Sequence, residues 1–349
     1  MSTAKHLPIL IIGQGLAGTL LAWQLIRLGQ QVYVVDREEA YTSSKVAGGI
    51  VTPITGMRMV KTWRLDDFYP CALEFYRWIE TQCRSQFYFE KPIQRLFKNQ
   101  SEQQLFQQRM QDPGFSQYVL SQELIETQNL DAAFGGFVMQ GAFLKTTPLL
   151  NSSKDFLDQC SSYQAATVVP SDLQILTDHV QWQGRPFSQV VFCQGWTKKT
   201  NPYFDWIPFK PAKGEVLEIH CDALSQKHIL NRSGFIAPLG DGKFRAGSTY
   251  EWKQLDHQPT TIGRKEICAK IESITDLPYQ VTDHQAAVRP VIDGSKCLLG
   301  RHPAHPRIAY FNGLASKGVL NAPYLSAMLA QHLINDQAIE GSVDVQKNF

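Results

Sequence analysis

The sequence lacks a charge excess of either sign. Its 349 residues include 34 lysines and arginines against 32 aspartates and glutamates, which gives a formal net charge of +2 at pH 7. Proteins that bind nucleic acid mainly through its phosphates usually carry a marked basic excess. The near-neutral balance therefore counts against nucleic acid as a partner. The 43% hydrophobic content is ordinary for a folded protein.

Paired cysteines and long apolar runs are also missing. The seven cysteines include no C-x-x-C pair and an odd number cannot all pair within one chain, so we expect a reduced, cytoplasmic protein. The apolar stretch 7–28 contains three glycines and two glutamines, and no small-residue cleavage site follows it. We therefore expect no membrane span. We also expect no metal, because zinc-ligand spacing is absent. Neither a P-loop nor a nucleophile elbow is present.

A complete dinucleotide-binding pattern opens the chain. An apolar run at 8–12 predicts a buried strand, a G-x-G-x-x-G turn and a helical apolar repeat follow, and a second strand ends at Asp36. The helix start offers N–H groups to a pyrophosphate, and Asp36 can accept hydrogen bonds from ribose hydroxyls. The residues expected to form this turn are Gly13, Gly15, Leu16, Ala17 and Gly18. The pattern alone fits FAD and NAD equally.

Later segments narrow the choice. Small and hydroxylic residues at 43–53 would let the backbone approach a large ligand, and a second strand–glycine–helix unit lies at 307–333. The further blocks are 191–196, 214–216, 246–249, 288–300 and 313–323. In this order, the blocks resemble the FAD-dependent D-amino-acid oxidase superfamily. The branch they resemble most contains glycine oxidase, sarcosine oxidase and the oxidase half of the tRNA wobble-uridine modification enzyme.

This resemblance implies an α/β fold with an α+β second domain. A discontinuous Rossmann-like FAD-binding domain would comprise residues 1–85, 141–205 and 286–349. The substrate-binding domain would comprise 86–140 and 206–285 and contain a mostly antiparallel sheet.

The resemblance also implies FAD as the cofactor. Its adenine end would lie near Asp36, its pyrophosphate on the glycine turn and its ring beside the 43–53 loop. Beyond the turn residues, the expected contacts are Asp36, Arg37, Ser44, Gly48, Gly49, Val168, Gly195, Trp196, Gly313, Leu314, Ala315, Ser316, Lys317 and Gly318.

Two arginines are expected to be catalytic. By the resemblance, Arg289 matches the arginine that holds the substrate carboxylate, and a planar bidentate donor suits that task. Arg245 occupies a strand position where sarcosine oxidases carry a lysine above the flavin. For Arg289 the alternative is a structural ion pair or a surface arginine, and for Arg245 it is an outward-facing strand arginine. Phe235 falls near a position where several amino-acid oxidases place a substrate-facing tyrosine, so that polar contact is expected to be missing.

The resulting hypothesis is an FAD-dependent oxidase or dehydrogenase that oxidises a carbon–nitrogen bond of a small amine or amino acid by hydride transfer to flavin. The first alternative is a tRNA-modifying oxidoreductase that acts on a carboxymethylaminomethyl-uridine side chain. Two others are a nicotinamide-dependent dehydrogenase, which leaves the later blocks unexplained, and a flavin-binding protein without turnover.

Overall fold

The computed structural model describes residues 7–197 and 201–348. Within these residues the helices are α1 Leu16–Arg27, α2 Leu65–Cys83, α3 Gln100–Arg109, α4 Pro113–Ser116, α5 Thr146–Gln159, α6 Thr261–Glu272 and α7 Gly318–Asn335. The strands, in chain order, are β1 Ile9–Ile12, β2 Val32–Asp36, β3 Ile50–Val51, β4 Ile54–Thr55, β5 Val60–Lys61, β6 Tyr88–Glu90, β7 Ile93–Leu96, β8 Val119–Ser121, β9 Gly136–Met139, β10 Ala142–Leu144, β11 Tyr163–Ala165, β12 Gln174–Ile175, β13 Val180–Trp182, β14 Arg185–Phe187, β15 Gln189–Phe192, β16 Ala212–His220, β17 Ile229–Asn231, β18 Phe235–Gly240, β19 Lys243–Gly247, β20 Gln280–Arg289, β21 Leu298–Arg301 and β22 Ile308–Asn312.

A mainly parallel sheet holds the dinucleotide pattern. Its order is β11-β2-β1-β15-β22-β21, and only the edge strand β21 is antiparallel to its neighbour. Strands β1 and β15 are buried along their whole length, as expected for apolar strands covered on both faces. Helix α7 packs against α1 and α2 on one side of this sheet. The two predicted strand–glycine–helix units thus lie together, although nearly 300 residues separate them.

The second large sheet has the order β20-β16-β19-β18-β17-β7-β9-β8. All its pairs are antiparallel except the parallel pair of β17 with β7. Helix α6 packs against β16, β18 and β19. This arrangement confirms the predicted fold class, a Rossmann-like part combined with a mostly antiparallel sheet.

The predicted domain limits can be placed on this topology. Strand β20 runs without a break through residue 286, the predicted start of the last FAD-binding piece. A small sheet, β3-β10-β6, joins segments that the prediction assigned to both domains. The limits therefore remain a prediction. No helix among the described residues is long and apolar enough to cross a membrane.

Candidate active site

The glycine turn lies at the carboxyl end of β1, between β2 and β15. Such a switch point in an open parallel sheet is where a crevice for a ligand forms. The N–H of Leu16 donates to Oγ of Ser44 at 2.9 Å. The carboxylate of Asp36 accepts the N–H of Gln14 at 2.6 Å. The loop after β2 and the acid that ends β2 therefore fix the start of α1 from two sides.

Gly18 is required by a close backbone approach. A Cβ at this position would lie 1.8 Å from the carbonyl oxygen of Gly13 and 3.2 Å from a side-chain methyl of Ile11. The first distance is far inside van der Waals contact, so the turn can lie against α1 only if residue 18 has no side chain. Gly18 therefore shapes the turn through packing, as its place in the motif predicts.

A cavity of about 750 Å³, here called the main cavity, opens beside the turn. Its size falls within the roughly 300–1,000 Å³ typical of ligand pockets. Its lining extends from Asp36, at the end of β2, to Arg289, at the end of β20, so it spans both large sheets. The predicted site residues that line it are Gly13, Gly15, Leu16, Ala17, Asp36, Arg37, Ser44, Gly48, Gly49, Val168, Gly195, Trp196, Arg289, Leu314, Ala315, Ser316 and Gly318.

Four predicted residues lie outside the lining: Gly18, Arg245, Gly313 and Lys317. Gly313 is buried at the start of the turn that precedes α7. Lys317 donates from Nζ to the hydroxyls of Thr55 at 3.2 Å and Thr62 at 3.1 Å. Burial lowers the pKa of this ammonium group. Lys317 thus ties the start of α7 to the β4–β5 hairpin, and direct contact with FAD remains a prediction for it.

Arg289 lines the main cavity from the end of β20, where neutral groups hold it. Its Nη1 donates to the carbonyl oxygen of Thr249 at 3.1 Å, and its guanidinium carbon lies 4.3 Å from the ring centroid of Tyr250. A Cβ on Gly214 would lie 2.0 Å from Nη2, so the guanidinium rests directly on the backbone of β16. Burial lowers the pKa of Arg289.

No aspartate or glutamate of the described residues pairs with Arg289. A partly desolvated guanidinium without a carboxylate partner is unfavourable, because it has given up water without gaining a counter-charge. The arrangement leaves its planar donors available to an anion in the cavity. Phe235 and Val216 line the same cavity and supply apolar surface.

Arg245 has different surroundings. Its Nη2 donates to Oε1 of Glu218 at 2.6 Å, and Nη1 donates to the carbonyl oxygen of Ala47 at 3.0 Å. Its charge is therefore balanced, and its second bond holds the loop immediately before Gly48. Arg245 therefore helps to hold the 43–53 loop in position. A catalytic role beside the flavin stays a prediction.

A segment that the sequence analysis did not single out also reaches the main cavity. Residues 250–258, here called the lid segment, contribute Leu255, Asp256 and His257 to the lining. Lys213, whose side chain is fully buried, donates from Nζ to Oδ1 of Asp256 at 2.6 Å and to the carbonyl oxygen of Gln258. The Lys213 ammonium is the main reason that the pKa of Asp256 falls to about 2.

The burial of Lys213 makes a partner for its ammonium necessary, but the sequence alone does not show that burial; the Lys213–Asp256 pair is here called the clamp. Lys213 lies in the buried first part of β16, next to Ala212 and Gly214. A lysine at such a position is seldom tolerated without a partner. The identity of that partner could not be predicted, because Asp256 is 43 residues away in a segment without regular structure.

Comparison with known proteins agrees with this geometry. The family described as FAD dependent oxidoreductase matches residues 8–332, and the chain belongs to this family. The predictions of an FAD-dependent oxidoreductase and of FAD as the cofactor are thereby confirmed. The main cavity fits such a group, because small residues and the start of α1 line it beside Asp36.

Two curated relatives match parts of the chain. A glycine oxidase from Bacillus licheniformis is 28% identical over 160 residues, which cover 44% of this chain and 39% of that protein. The tRNA 5-methylaminomethyl-2-thiouridine biosynthesis bifunctional protein of Marinomonas sp. (strain MWYL1) is 25% identical over 313 residues, 80% of this chain and 44% of that protein. The chain thus spans less than half the length of these relatives.

Solved structures share the fold across nearly the whole chain. The glycine oxidase of Bacillus cereus ATCC 14579 superposes with a TM-score of 0.80 at 19% identity, covering 95% of this chain and 96% of that one. At this identity the similarity establishes the fold, and the substrate has to be argued from the site.

Proposed function

We propose that this chain oxidises the carbon–nitrogen bond of a small amine or amino acid that bears a carboxylate. The observation that carries the proposal is Arg289, a partly desolvated guanidinium without an acidic partner, in the same cavity as the glycine turn and the 43–53 loop. When bound, FAD supplies the acceptor for the hydride that leaves the amine-bearing carbon. The similarity to glycine oxidase supports this substrate class.

The residues around Arg289 orient such a substrate. The guanidinium offers two parallel N–H donors to a carboxylate, and the Tyr250 ring and the Gly214 backbone hold its plane. Phe235 presents an apolar edge to the cavity and packs beside Gly48. The carboxylate would therefore be fixed by charge and the carbon chain by shape, which places the reacting carbon in a defined position.

A second candidate function is oxidation of a carboxymethylaminomethyl group on a tRNA wobble uridine. The observation that favours it is the 313-residue similarity to the tRNA-modifying bifunctional protein, which covers 80% of this chain. Arg289 would hold the carboxylate of the modified base in the same way. The net charge of +2 gives this candidate little general attraction to nucleic acid.

The test is the visible spectrum of the purified protein during anaerobic titration with amines. We expect a bound-flavin spectrum that is bleached by glycine, an N-methyl amino acid or another amine with a carboxylate. The matched amines without the carboxylate should bleach it far more slowly. Bleaching that does not depend on the carboxylate would contradict the role of Arg289. Bleaching by a tRNA carrying the modified uridine, with none by small amines, would establish the second candidate.

A further inference from the structure

A second cleft, of about 240 Å³, lies next to the main cavity. It is here called the basic cleft, and its lining includes Thr52, Arg95, Lys98, Glu102, Asn231 and Arg232. Thr52 and Asn231 line both the basic cleft and the main cavity, so the two spaces are neighbours that share a wall. The proposed reaction assigns no role to the charged groups in this cleft.

Arg95 is the unexplained group in the basic cleft. It lies on β7, is only 4% exposed, and donates from Nη2 to the carbonyl oxygen of Gly56 at 2.9 Å. Its Nε is buried and has no hydrogen-bond partner. Burial lowers the pKa of Arg95, and the charge of Glu102 offsets part of this effect. No carboxylate of the described residues pairs with Arg95, so this buried guanidinium has given up water without gaining a counter-charge, and an anion in the adjoining cleft would supply one.

The other charged side chains define the polarity of the cleft. Lys98 is exposed, and its backbone N–H donates to a carboxylate oxygen of Glu102 at 3.0 Å. Arg232 is already paired with Asp131 at 3.0 Å. The Arg232–Asp131 pair is neutral. Of the other charged side chains in the lining, Arg95 and Lys98 are cations and Glu102 is an anion, so the net charge of the cleft is positive and favours an anionic ligand.

From this geometry we infer that the basic cleft is an anion subsite, in which Arg95 and Lys98 bind a phosphate or carboxylate group at the far end of an extended substrate. The amine end of that substrate would lie in the main cavity, and only this part of the inference rests on the proposed function. Arg95 lies directly beside Asn231 in the parallel pairing of β7 with β17, which gives the route from one space to the other.

The sheet sets the length of such a substrate. From β20, which carries Arg289, to β7, which carries Arg95, there are five strand spacings. At about 4.8 Å per spacing this amounts to roughly 24 Å across a flat sheet. A molecule the size of glycine cannot reach both arginines. A small amine can therefore occupy only the main cavity, and a substrate that also reaches the basic cleft must carry a second anionic group many bonds away from the amine.

The anion subsite can be tested without turnover. FAD-loaded protein, in which the cofactor fills its own phosphate site, is titrated with inorganic phosphate in a calorimeter. We expect saturable binding that weakens at least fivefold in Arg95→Gln and in Lys98→Gln. The control Arg264→Gln changes an exposed arginine on α6 and should bind phosphate like the parent. Absence of binding in the parent, or equal binding in Lys98→Gln and the parent, would overturn the inference.

Two further measurements are needed. One distinguishes a carboxylate from a nucleic-acid phosphate as the bound anion, and the other distinguishes failure of the proposed function from failure of the anion subsite. Displacement of phosphate by acetate points to a carboxylate, whereas displacement by a short uridine-rich RNA strand points to a nucleic-acid phosphate. Lys98→Gln also covers the case in which Arg95→Gln fails to fold, because Lys98 is exposed. If no amine bleaches the flavin while phosphate binding still depends on Lys98, the proposed function fails and the anion subsite stands. If an amine bleaches the flavin while phosphate binding does not depend on Lys98, the proposed function stands and the anion subsite fails.

Discussion

The two ends of the main cavity are built in different ways. At the nucleotide end, the turn and the acid that faces it lie within residues 13–36, and backbone groups provide much of the chemistry. At the substrate end, Arg289, Lys213 and the lid segment come from parts of the chain that are 30 or more residues apart. There, side chains and their charges provide the chemistry.

This difference determines what a substitution does. A backbone site tolerates exchanges of surface side chains but fails when a Cβ enters the turn, because no rearrangement of side chains can make room. A side-chain site keeps its shape after a substitution and loses a particular interaction. We therefore expect a substitution in the turn at the nucleotide end either to abolish FAD binding or to leave it unchanged. Substitutions at the substrate end should lower activity by differing amounts.

The largest effect is expected for Gly18→Ala. The new methyl group would overlap the carbonyl oxygen of Gly13, so the turn or α1 must move, at a penalty of about 1–3 kcal/mol or more. We expect the protein to lose FAD during gel filtration. In the control Gly341→Ala, the added Cβ meets only the flexible side chain of Lys347. The ratio of flavin to protein measures the result, and full retention of FAD by Gly18→Ala would show that the turn can relax.

A large but specific effect is expected for Arg289→Leu. Loss of a buried charge-assisted pair with the substrate corresponds to about 2–5 kcal/mol. We therefore expect kcat/KM for a carboxylate-bearing amine to fall at least thirtyfold, while the flavin content stays normal. Arg289→Lys should recover part of the loss, since it restores the charge but not the bidentate geometry. Equal losses with amines that have no carboxylate would assign Arg289 a structural role.

The sequence predicted the nucleotide end well for a physical reason. Strand, turn, helix and acid are close in sequence, so local periodicity and glycine placement define them without knowledge of the rest of the fold. Strand β1 was predicted within one residue, and the predicted turn residues other than Gly18 line the main cavity. The pairing of β1 with β15, which places Gln194 and Gly195 beside the turn, is non-local and was not predicted; the family resemblance implied only that Gly195 and Trp196 contact FAD.

The substrate end could be predicted only in part. Arg289 was singled out, but its contacts with Thr249 and Tyr250 were not predicted, because they arise from the pairing of β16 with β20 and β19. For Arg245, the surroundings of the side chain could not be predicted. A strand arginine of this kind can face a ligand or an acid, and the sequence does not show that Glu218 lies opposite it in the β16–β19 register. Register and long-range partners are properties of the whole sheet.

An intermediate effect is expected for Asp256→Asn, which leaves the Lys213 ammonium buried without its counter-charge. We expect the free energy of unfolding to fall by about 2–3 kcal/mol, less than for a fully buried pair because Asp256 is 34% exposed. The KM for the amine should rise as the lid segment loosens. The double variant Lys213→Met/Asp256→Leu should be more stable than Asp256→Asn in urea unfolding. Greater stability of the single variant would contradict the clamp.

The same clamp has a defined pH range. The pKa of Asp256 is lowered from 3.8 to about 2 in the folded protein. Its contribution to stability is therefore fully present above pH 3.8 and is lost as the pH falls through about 2. In urea unfolding, the stability of the parent relative to the double variant should be constant from pH 8 to pH 5 and should fall below pH 4. A difference that changes between pH 5 and pH 8 would indicate that another group controls the lid segment.

The smallest effect is expected for Arg245→Gln, and it separates a positioning residue from a catalytic one. The substitution removes the ion pair with Glu218 but leaves an amide that can still reach a carbonyl, so the loop before Gly48 should shift only slightly. We expect kcat to fall less than tenfold, with a small change in the visible flavin spectrum that reports the altered loop. Glu218→Gln should reproduce this change, because it releases the same arginine. Flavin reoxidation by oxygen could instead slow by 10³-fold or more in Arg245→Gln but not in Glu218→Gln. That result would place the guanidinium at the reacting atoms, since fixed charges near developing anions have effects of that size.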